Sequence, residues 1–272
     1  MPIPKLNITE SNSVSIDYSQ LKDELFINID NEYKKPPICI EICQNGNKYR
    51  FGTFGNFSVI GGKGKAKKGF LVSAIIGSSL TGEKILNFKT YFNGKKIVLF
   101  DTEQGNYDLY VASKRSVRLN QFDYHPENLD VFALRQLSTE DRVTFIENYL
   151  EEEHQKLGMI VIDGVRDLIV DINNTDQSTE ITTKIMQWTK IYNIHAVLVL
   201  HENPGSDKLR GHLGTELTNK AETVISVEKQ QEREDVSMVI PKFTRGTMPF
   251  NQFSFEIDET GLPILSNFIP VF

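Results

Sequence analysis

The sequence has 272 residues, of which 39% are hydrophobic and 24% are charged. This composition is that of a globular protein, and it excludes a disordered, collagenous or coiled-coil chain. The formal net charge of −6 provides no global positive field for duplex DNA. Any contact with nucleic acid must therefore come from local basic patches.

The cysteines and the apolar runs bear on the compartment in which the chain works. Cys39 and Cys43 are the only cysteines, too few for a disulfide framework. On one face of a strand they would lie ~13 Å apart, which is beyond disulfide reach. The first four residues lack a signal-peptide pattern, and no apolar run approaches the ~18 residues of a membrane span. We therefore expect a cytoplasmic protein with no membrane partner.

The beginning of the chain divides into a polar arm and a hairpin. Residues 1–35 are rich in Asn, Ser, Asp and Lys and predict little core of their own. From Ile38 to Ile42 isoleucines alternate with other residues, and an Asn-Gly pair at 45–46 separates them from a second strand over 48–53. Asn-Gly between two alternating runs is a strong hairpin signal.

From about Asn56 onwards, strand and helix patterns alternate along the chain. Buried strands are predicted over 57–60, 95–100, 129–134, 159–163 and 195–201, and further strands, taken as antiparallel additions, over 222–228, 236–241 and 252–257. Helices are predicted over 70–79, from Ser138 to a stop at Gly158, and around Trp188. This alternation predicts an α/β fold whose mostly parallel sheet carries helices on both faces. The expected domains are an N-terminal arm with its β-hairpin over 1–50 and a core over 51–272.

A glycine- and lysine-rich loop lies between the strand 57–60 and its helix. If Gly62 is the first glycine of the pattern G-x-x-x-x-G-K-[ST], Lys68 is the lysine that reaches the terminal phosphates. Two fixed positions depart from the pattern, because Lys67 replaces the second glycine and Gly69 replaces the hydroxyl residue. Gly64 lies in the same loop, where glycines let backbone N–H groups converge on phosphate oxygens. The alternative for this segment is a basic surface loop.

Polar side chains follow several of the later strands. Glu103 comes after 95–100, Asp163 ends 159–163, His201 ends 195–201, and Lys242 and Arg245 follow 236–241. Ligands of such sheets bind beyond the carboxyl ends of the strands. A phosphoryl-transfer site needs a phosphate cradle, a carboxylate for metal, a group that orients water, a polar sensor and cationic fingers. The chain presents all of these in order, although each residue alone also has an ordinary structural explanation as a turn, helix-end or core residue.

This constellation resembles the RecA-like ATPase core, and within it the hexameric helicases of the plasmid RepA and DnaB type. It is most similar to the short RepA-like ATPases of mobile elements, whose loop often reads G-K-x-K-x-x-K-T. The resemblance covers roughly residues 51–257 and rests on order and spacing. It implies ATP and Mg²⁺ as cofactors and a homohexamer as the assembly.

The resemblance also implies a role for each residue. Lys68 would be the Walker A lysine, Glu103 the catalytic glutamate, Asp163 the Walker B aspartate that binds Mg²⁺, His201 the sensor, and Lys242 with Arg245 the pair that reaches a neighbouring subunit's nucleotide. The basic residues Lys208 and Arg210 lie in a polar segment, 204–217, which is predicted as a long loop. In a hexamer such a loop would contact the phosphates of single-stranded DNA, whereas its alternative is a solvated loop.

Two functional hypotheses from different classes follow. The first is an ATP-binding RecA-like protein that forms a ring and acts as a single-stranded-DNA helicase or translocase in plasmid or mobile-element replication or mobilisation. The second is a nucleotide-binding regulatory or assembly protein with little or no hydrolysis, because the loop departs from the Walker A pattern at Lys67 and Gly69. A recombination mediator of the RecA-paralogue type is a third possibility.

Overall fold

The computed structural model describes residues 18–230 and 233–268. This part of the chain divides into two compact units. The first extends to Pro36 and contains helix α1 (Tyr18–Leu25), and the second extends from Pro37 and contains every later element. The remainder of the predicted polar arm lies outside the described residues. Among the helices of the described ranges, none is long and apolar enough to cross a membrane.

The second unit is built from two sheets and five α-helices within the described residues. The strands are β1 (Ile38–Gln44), β2 (Asn47–Thr53), β3 (Phe57–Gly62), β4 (Phe88–Thr90), β5 (Lys96–Asp101), β6 (Leu129–Ala133), β7 (Leu157–Asp163), β8 (His195–Val199), β9 (Thr223–Lys229), β10 (Val236–Thr244), β11 (Phe253–Ile257) and β12 (Pro263–Ser266). The helices are α2 (Lys68–Thr81), α3 (Asn106–Arg118), α4 (Thr139–Glu153), α5 (Thr175–Tyr192) and α6 (Gly211–Lys220).

The main sheet has nine strands in the order β12-β11-β10-β9-β3-β8-β7-β5-β6. The strands from β9 to β6 in this order run parallel, and β10, β11 and β12 are antiparallel additions. The predicted mostly parallel sheet with antiparallel C-terminal strands is therefore confirmed. One detail differs, because β9 was expected to be antiparallel and is parallel to β3. Helix α6 connects β8 to β9. A helical crossover of this kind joins strands that run in the same direction.

Both faces of the main sheet are covered by helices, as the buried strands require. Along β5, Ile97 and Leu99 lie in the core beneath α2 and α3, whereas Val98 and Phe100 lie in the core beneath α4, α5 and α6. Alternate residues of a strand point to opposite faces, so one apolar strand serves both cores. Each buried side chain of this size contributes about 1.5–3 kcal/mol relative to exposure.

The small sheet has the order β2-β1-β4, and its first two strands form the predicted hairpin. Asn45 and Gly46 at the turn both have positive φ, 49° and 77°, which is the conformation that Asn-Gly adopts most readily. Phe51 of β2 and Phe88 of β4 are fully buried and meet edge to face, with ring centroids 5.5 Å apart. The hairpin is thus part of the core on the α2–α3 side.

Two predicted element boundaries were wrong. The helix that Ser138 caps ends at Glu153 and not at Gly158, and Leu157 instead begins β7 beside Lys96 of β5. The predicted loop over 204–217 ends at Arg210, because helix α6 begins at Gly211. Leu213 and Leu217 of α6 are fully buried, and this burial stabilises a helix that its polar sequence does not predict.

His195, the first residue of β8, is completely buried. Its Nδ1 lies 2.9 Å from the carbonyl oxygen of Thr53, so Nδ1 carries the proton and donates. Within the described residues, Nε2 has no hydrogen-bond partner. Gly52 lets the ring lie this close, since an added Cβ would clash with the imidazole. Burial lowers the pKa of His195 to about 4, so the folded protein keeps this ring neutral.

The first prediction concerns acid stability. The unfolded chain takes up a proton at His195 near pH 6.5 and the folded chain does so near pH 4. Stability therefore falls as the pH decreases between these values, by up to about 3 kcal/mol. We expect His195→Asn to be less stable than wild type at neutral pH but to lose less stability on acidification. Urea unfolding at pH 7 and pH 4.5 measures both quantities.

His212→Asn, the same change at an exposed position, is the matched control. Equal pH dependence in wild type and His195→Asn would contradict the assignment of acid sensitivity to this buried ring.

Candidate functional site

The register of the parallel strands brings the predicted strand-end residues to one edge. Asp101 of β5 lies beside Asp163 of β7, Asp163 beside Val199 of β8, and Val199 beside Ile60 of β3. The carboxyl ends of the four strands are therefore level. Gly62, Glu103 and His201 each lie two residues beyond this row. Glu103 and His201 line one cavity together with Asp163.

The loop between β3 and α2 has two lysines in an unusual backbone conformation. Lys65 and Lys67 both adopt the left-handed conformation, with φ of 62° and 67°. Lys67 occupies the position where the consensus pattern has glycine, so the lysine adopts the conformation for which glycine is usually needed. The N-terminus of α2 begins at Lys68, and its free N–H groups and dipole favour an anion at this point.

The Lys68 ammonium group is held inside the loop by three acceptors. Nζ donates to the carbonyl oxygen of Gly62 at 2.9 Å and to that of Lys63 at 3.0 Å, and it lies 3.1 Å from Nδ1 of His201. The residue is 8% exposed. Burial lowers the pKa of Lys68, although Asp163, Glu103 and Glu202 oppose this effect. A phosphate that replaced these neutral acceptors would give the ammonium group a negatively charged hydrogen-bond partner.

His201 connects Lys68 to Glu103. An ammonium group can only donate, so Nδ1 of His201 accepts from Lys68 and its proton lies on Nε2. Nε2 is 3.7 Å from Oε2 of Glu103. The His201 ring holds the pKa of the Glu103 carboxyl below its usual value, against the opposing effect of burial. Glu103 is therefore a carboxylate at neutral pH, as a group that accepts a proton from water must be.

Asp163 and Asp101 have different surroundings although they are neighbours. Asp101 accepts the backbone N–H groups of Glu103 and Gln104, at 2.9 and 2.7 Å, and so orders the turn that presents Glu103. Burial, followed by the repulsion of Asp101 and Glu103, raises the pKa of Asp163 to about 7. A divalent cation beside Asp163 would relieve this repulsion, so the oxygen donors fit Mg²⁺. Among the described residues, no group of three or more His, Cys, Asp or Glu side chains forms a ready-made metal site. Mg²⁺ would therefore need phosphate oxygens and water as further ligands.

The other predicted loop residues differ in what their positions allow. The Lys67 side chain turns away from the site, because its Nζ donates to the carbonyl oxygen of Glu234 at 2.6 Å. While that contact is made, only the backbone N–H of Lys67 can donate a hydrogen bond to a phosphate. Gly64 is exposed at the loop, and Gly69 has no heavy atom within 4 Å of an added Cβ. The missing hydroxyl at Gly69 is therefore not the result of a lack of space.

Lys242 near the end of β10 and Arg245 just after it have partners outside the loop between β3 and α2. Lys242 lies between Asp207 and Glu228, at 3.3 and 3.2 Å, beside a second cavity of about 420 Å³. Arg245 donates to the carbonyl oxygen of Asn219 at 2.6 Å. Neither cation lines the cavity beside Lys68. The role predicted for them concerns the nucleotide of a neighbouring subunit.

The two residues predicted to bind DNA lie in the short loop that follows His201. The N–H of Arg210 donates to the carbonyl oxygen of His201 at 2.9 Å, and the carbonyl oxygen of Lys208 accepts from Asn203, also at 2.9 Å. Both basic side chains are exposed. The loop is thus joined through its backbone to the residue that contacts Lys68.

The cavity at the site, of about 540 Å³, has a second wall that sequence reasoning missed. This wall is formed by α3, and its lining residues include Tyr107, Asp108, Val111, Ala112 and Arg115. The sequence of α3 gives a weak helix signal, because only Leu109, Ser116 and Val117 are buried. The buried residues recur at i, i+7 and i+8, which is the pattern that could have revealed the helix.

Comparisons with known proteins support the fold. No family model matches the sequence, and no curated protein matches it either. The KaiC-like protein PH0186 from Pyrococcus horikoshii OT3 is similar in structure, with a TM-score of 0.57 and 13% identity over 79% of this chain and 90% of that chain. A second solved structure, described as an ATPase domain, matches with a TM-score of 0.55 and 15% identity over 78% of this chain and 85% of that chain. At these identities the likeness shows the fold alone, which is the RecA-like fold that the sequence predicts.

The second prediction tests the geometry of the loop. Gly62 has φ of 149°, and an added Cβ would lie 2.5 Å from the carbonyl oxygen of Val227. We expect Gly62→Ala to cost about 1–3 kcal/mol of stability because it forces strained backbone against β9. Gly64→Ala is the matched control, since an added Cβ there meets no heavy atom within 4 Å. Denaturant unfolding of both variants measures the difference, and equal stability would show that the end of β3 is not constrained in this way.

Proposed function

We propose that this chain binds ATP with Mg²⁺ at the loop between β3 and α2 and couples slow hydrolysis to work on single-stranded DNA. The observation that carries the proposal is the position of Lys68. Its ammonium group lies inside the loop, bonded to two backbone carbonyl oxygens, with His201 in contact and with Glu103 and Asp163 at the same cavity. A basic surface loop would expose its lysines, whereas Lys68 is buried.

Each of these side chains would have a separate role in phosphoryl transfer. Lys68 would leave the carbonyl oxygens of Gly62 and Lys63 for the terminal phosphates, which offer it a charged acceptor. Glu103, ionised and next to His201, would orient and deprotonate the attacking water. Asp163 would hold Mg²⁺, which neutralises the charge that develops on the phosphates when it is bound. His201 would follow the movement of Lys68, because the two groups are in contact.

The finer part of the proposal is a ring-forming helicase or translocase of the RepA-like type that serves a plasmid or mobile element. The support for DNA contact is the exposure of Lys208 and Arg210 on the loop joined to His201. The support for a ring is that Lys242 and Arg245 lie away from their own phosphate loop, where a neighbouring subunit could present its nucleotide. The second of the two similar structures is itself an ATPase domain, which agrees with ATP as the nucleotide.

A second function, nucleotide binding without turnover, is favoured by one observation. Gly69 has no hydroxyl to ligate Mg²⁺, and the described neighbourhood leaves its Cβ position open. Binding can survive this loss because Mg²⁺ retains several waters. Transition-state stabilisation suffers more, because it depends on charge that is rigidly placed. Steady-state ATP turnover with and without single-stranded DNA separates the two functions.

The third prediction tests the proposal directly. Lys68→Ala removes the buried ammonium group, and we expect ATP affinity to fall by roughly 10- to 100-fold, the value of a charge-assisted hydrogen bond. Lys63→Ala is the matched control, because Lys63 is exposed and contributes only its backbone carbonyl to Lys68. Isothermal titration with ATP and Mg²⁺ measures both affinities. If Lys68→Ala binds ATP as tightly as wild type does, the loop is not the phosphate site.

The fourth prediction concerns the missing hydroxyl. Gly69→Thr places a hydroxyl in open space at the start of α2, and threonine also suits a helix better than glycine. We expect ATP turnover at saturating Mg²⁺ to rise roughly tenfold, equivalent to about 1.4 kcal/mol of barrier. Gly64→Thr, a change at an exposed loop position, should give no such gain. Brisk turnover by the wild-type protein would instead show that another group already holds the metal.

A further inference from the structure

The cavity extends from the phosphate loop into the space between α2 and α3. These helices approach closely at Gly77, where an added Cβ would lie 2.9 Å from the carbonyl oxygen of Ser116. The cavity of about 540 Å³ lies between their N-terminal halves, from Lys68 and Phe70 on one helix to Tyr107 on the other. A triphosphate bound at the loop accounts for only one end of this space.

Arg115 lines the end of the cavity that is farther from the loop, and it is a cation without an acidic partner among the described residues. Its guanidinium group lies over the ring of Phe70, 3.7 Å from the ring centroid, and Nη1 donates to Oγ of Ser73 at 3.3 Å. Within the ranges that the structure describes, no carboxylate forms an ion pair with it. Burial lowers the pKa of Arg115, and no other effect opposes this. A half-buried cation with most of its five N–H donors unused therefore borders the cavity.

The position of Arg115 argues against a phosphate contact. Its hydrogen-bond partner, Ser73, lies five residues beyond Lys68, or ~7.5 Å along the axis of α2. The N–H groups that favour phosphate are at the start of the helix. The neighbouring wall is formed by Val111 and Ala112, which offer no hydrogen-bond donors from their side chains. Such a wall suits a flat and partly apolar group better than it suits a phosphate.

We propose that Arg115 contacts the base of the bound nucleotide, an inference that rests on the proposed nucleotide-binding function. The guanidinium group lies over the ring of Phe70, and Arg115 lines the cavity into which a second flat ring would enter. A nucleobase in that position would lie over the cation, and the nitrogen and oxygen acceptors on its edge would accept the unused N–H donors. Arg115 would then distinguish a nucleoside triphosphate from a bare polyphosphate chain.

The experiment compares ATP with inorganic tripolyphosphate, both titrated with Mg²⁺ present. We expect Arg115→Gln to weaken ATP binding about tenfold, the range of a cation–π contact in a partly desolvated site. Binding of tripolyphosphate should remain unchanged, because that ligand has no base. Arg118→Gln is the matched control, since Arg118 belongs to the same helix but is exposed and donates to the carbonyl oxygen of Thr260. It should bind both ligands as wild type does.

Other outcomes have distinct meanings. Equal weakening of ATP and tripolyphosphate by a folded Arg115→Gln would place Arg115 on the phosphates and overturn the proposal, as would unchanged ATP affinity. If Arg115→Gln does not fold, Arg115→Lys carries the test, because it keeps the charge but lacks the planar group that stacks on Phe70. Lys68→Ala should weaken both ligands. If it weakens neither, the proposed function itself fails, whatever Arg115 does.

Discussion

The carbonyl oxygen of Gly62 accepts two hydrogen bonds that hold together the loops at the carboxyl ends of the parallel strands. It accepts from Nζ of Lys68 at 2.9 Å and from the backbone N–H of Glu202 at 3.2 Å. The first bond holds the loop closed over its own lysine, and the second attaches the chain just beyond His201 to the end of β3. Only glycine fits here, because the carbonyl oxygen of Val227 occupies the space of a Cβ. The loop, the chain next to His201 and the end of β3 are thus fixed together.

The ionisation of Asp163 and that of Lys68 are best considered together. Asp163 is crowded by two carboxylates, and Lys68 is buried with neutral acceptors around it. Burial disfavours the charged form of both groups, and at Asp163 the repulsion of Asp101 and Glu103 adds to the effect of burial. An anionic ligand that carries a divalent cation supplies what both groups lack, with phosphate for Lys68 and metal for Asp163. Two neighbouring groups of opposite sign, each with its charge disfavoured, are what a site prepared for such a ligand should show.

Sequence reasoning predicted the strand-end residues because parallel strands must gather their carboxyl ends at one edge. It could not predict that His201 lies beside Glu103, since this depends on the spatial order β8-β7-β5, which differs from the order in the chain. It missed α3 and Arg115 for a different reason. A helix that borders a ligand cavity buries few of its own side chains, so its apolar pattern is faint. Helix α6 was missed because turn-forming residues precede it and its stability comes from the packing of Leu213 and Leu217.

Strand β10 has one feature with a mechanical consequence. Near its start, Oγ of Ser237 donates to the carbonyl oxygen of Ala66, and Nζ of Lys67 reaches the carbonyl oxygen of Glu234 just before the strand. Lys242 lies five residues and Arg245 eight residues beyond Ser237, or ~17 Å and ~26 Å of extended chain at ~3.3 Å per residue. The first half of β10 is paired on both sides, over 236–239, whereas its second half is paired with β9 alone and has an irregularity between Pro241 and Phe243. A shift of the loop between β3 and α2 would therefore reach the first half of β10 directly, and the cations near its other end only through the irregular half of the strand.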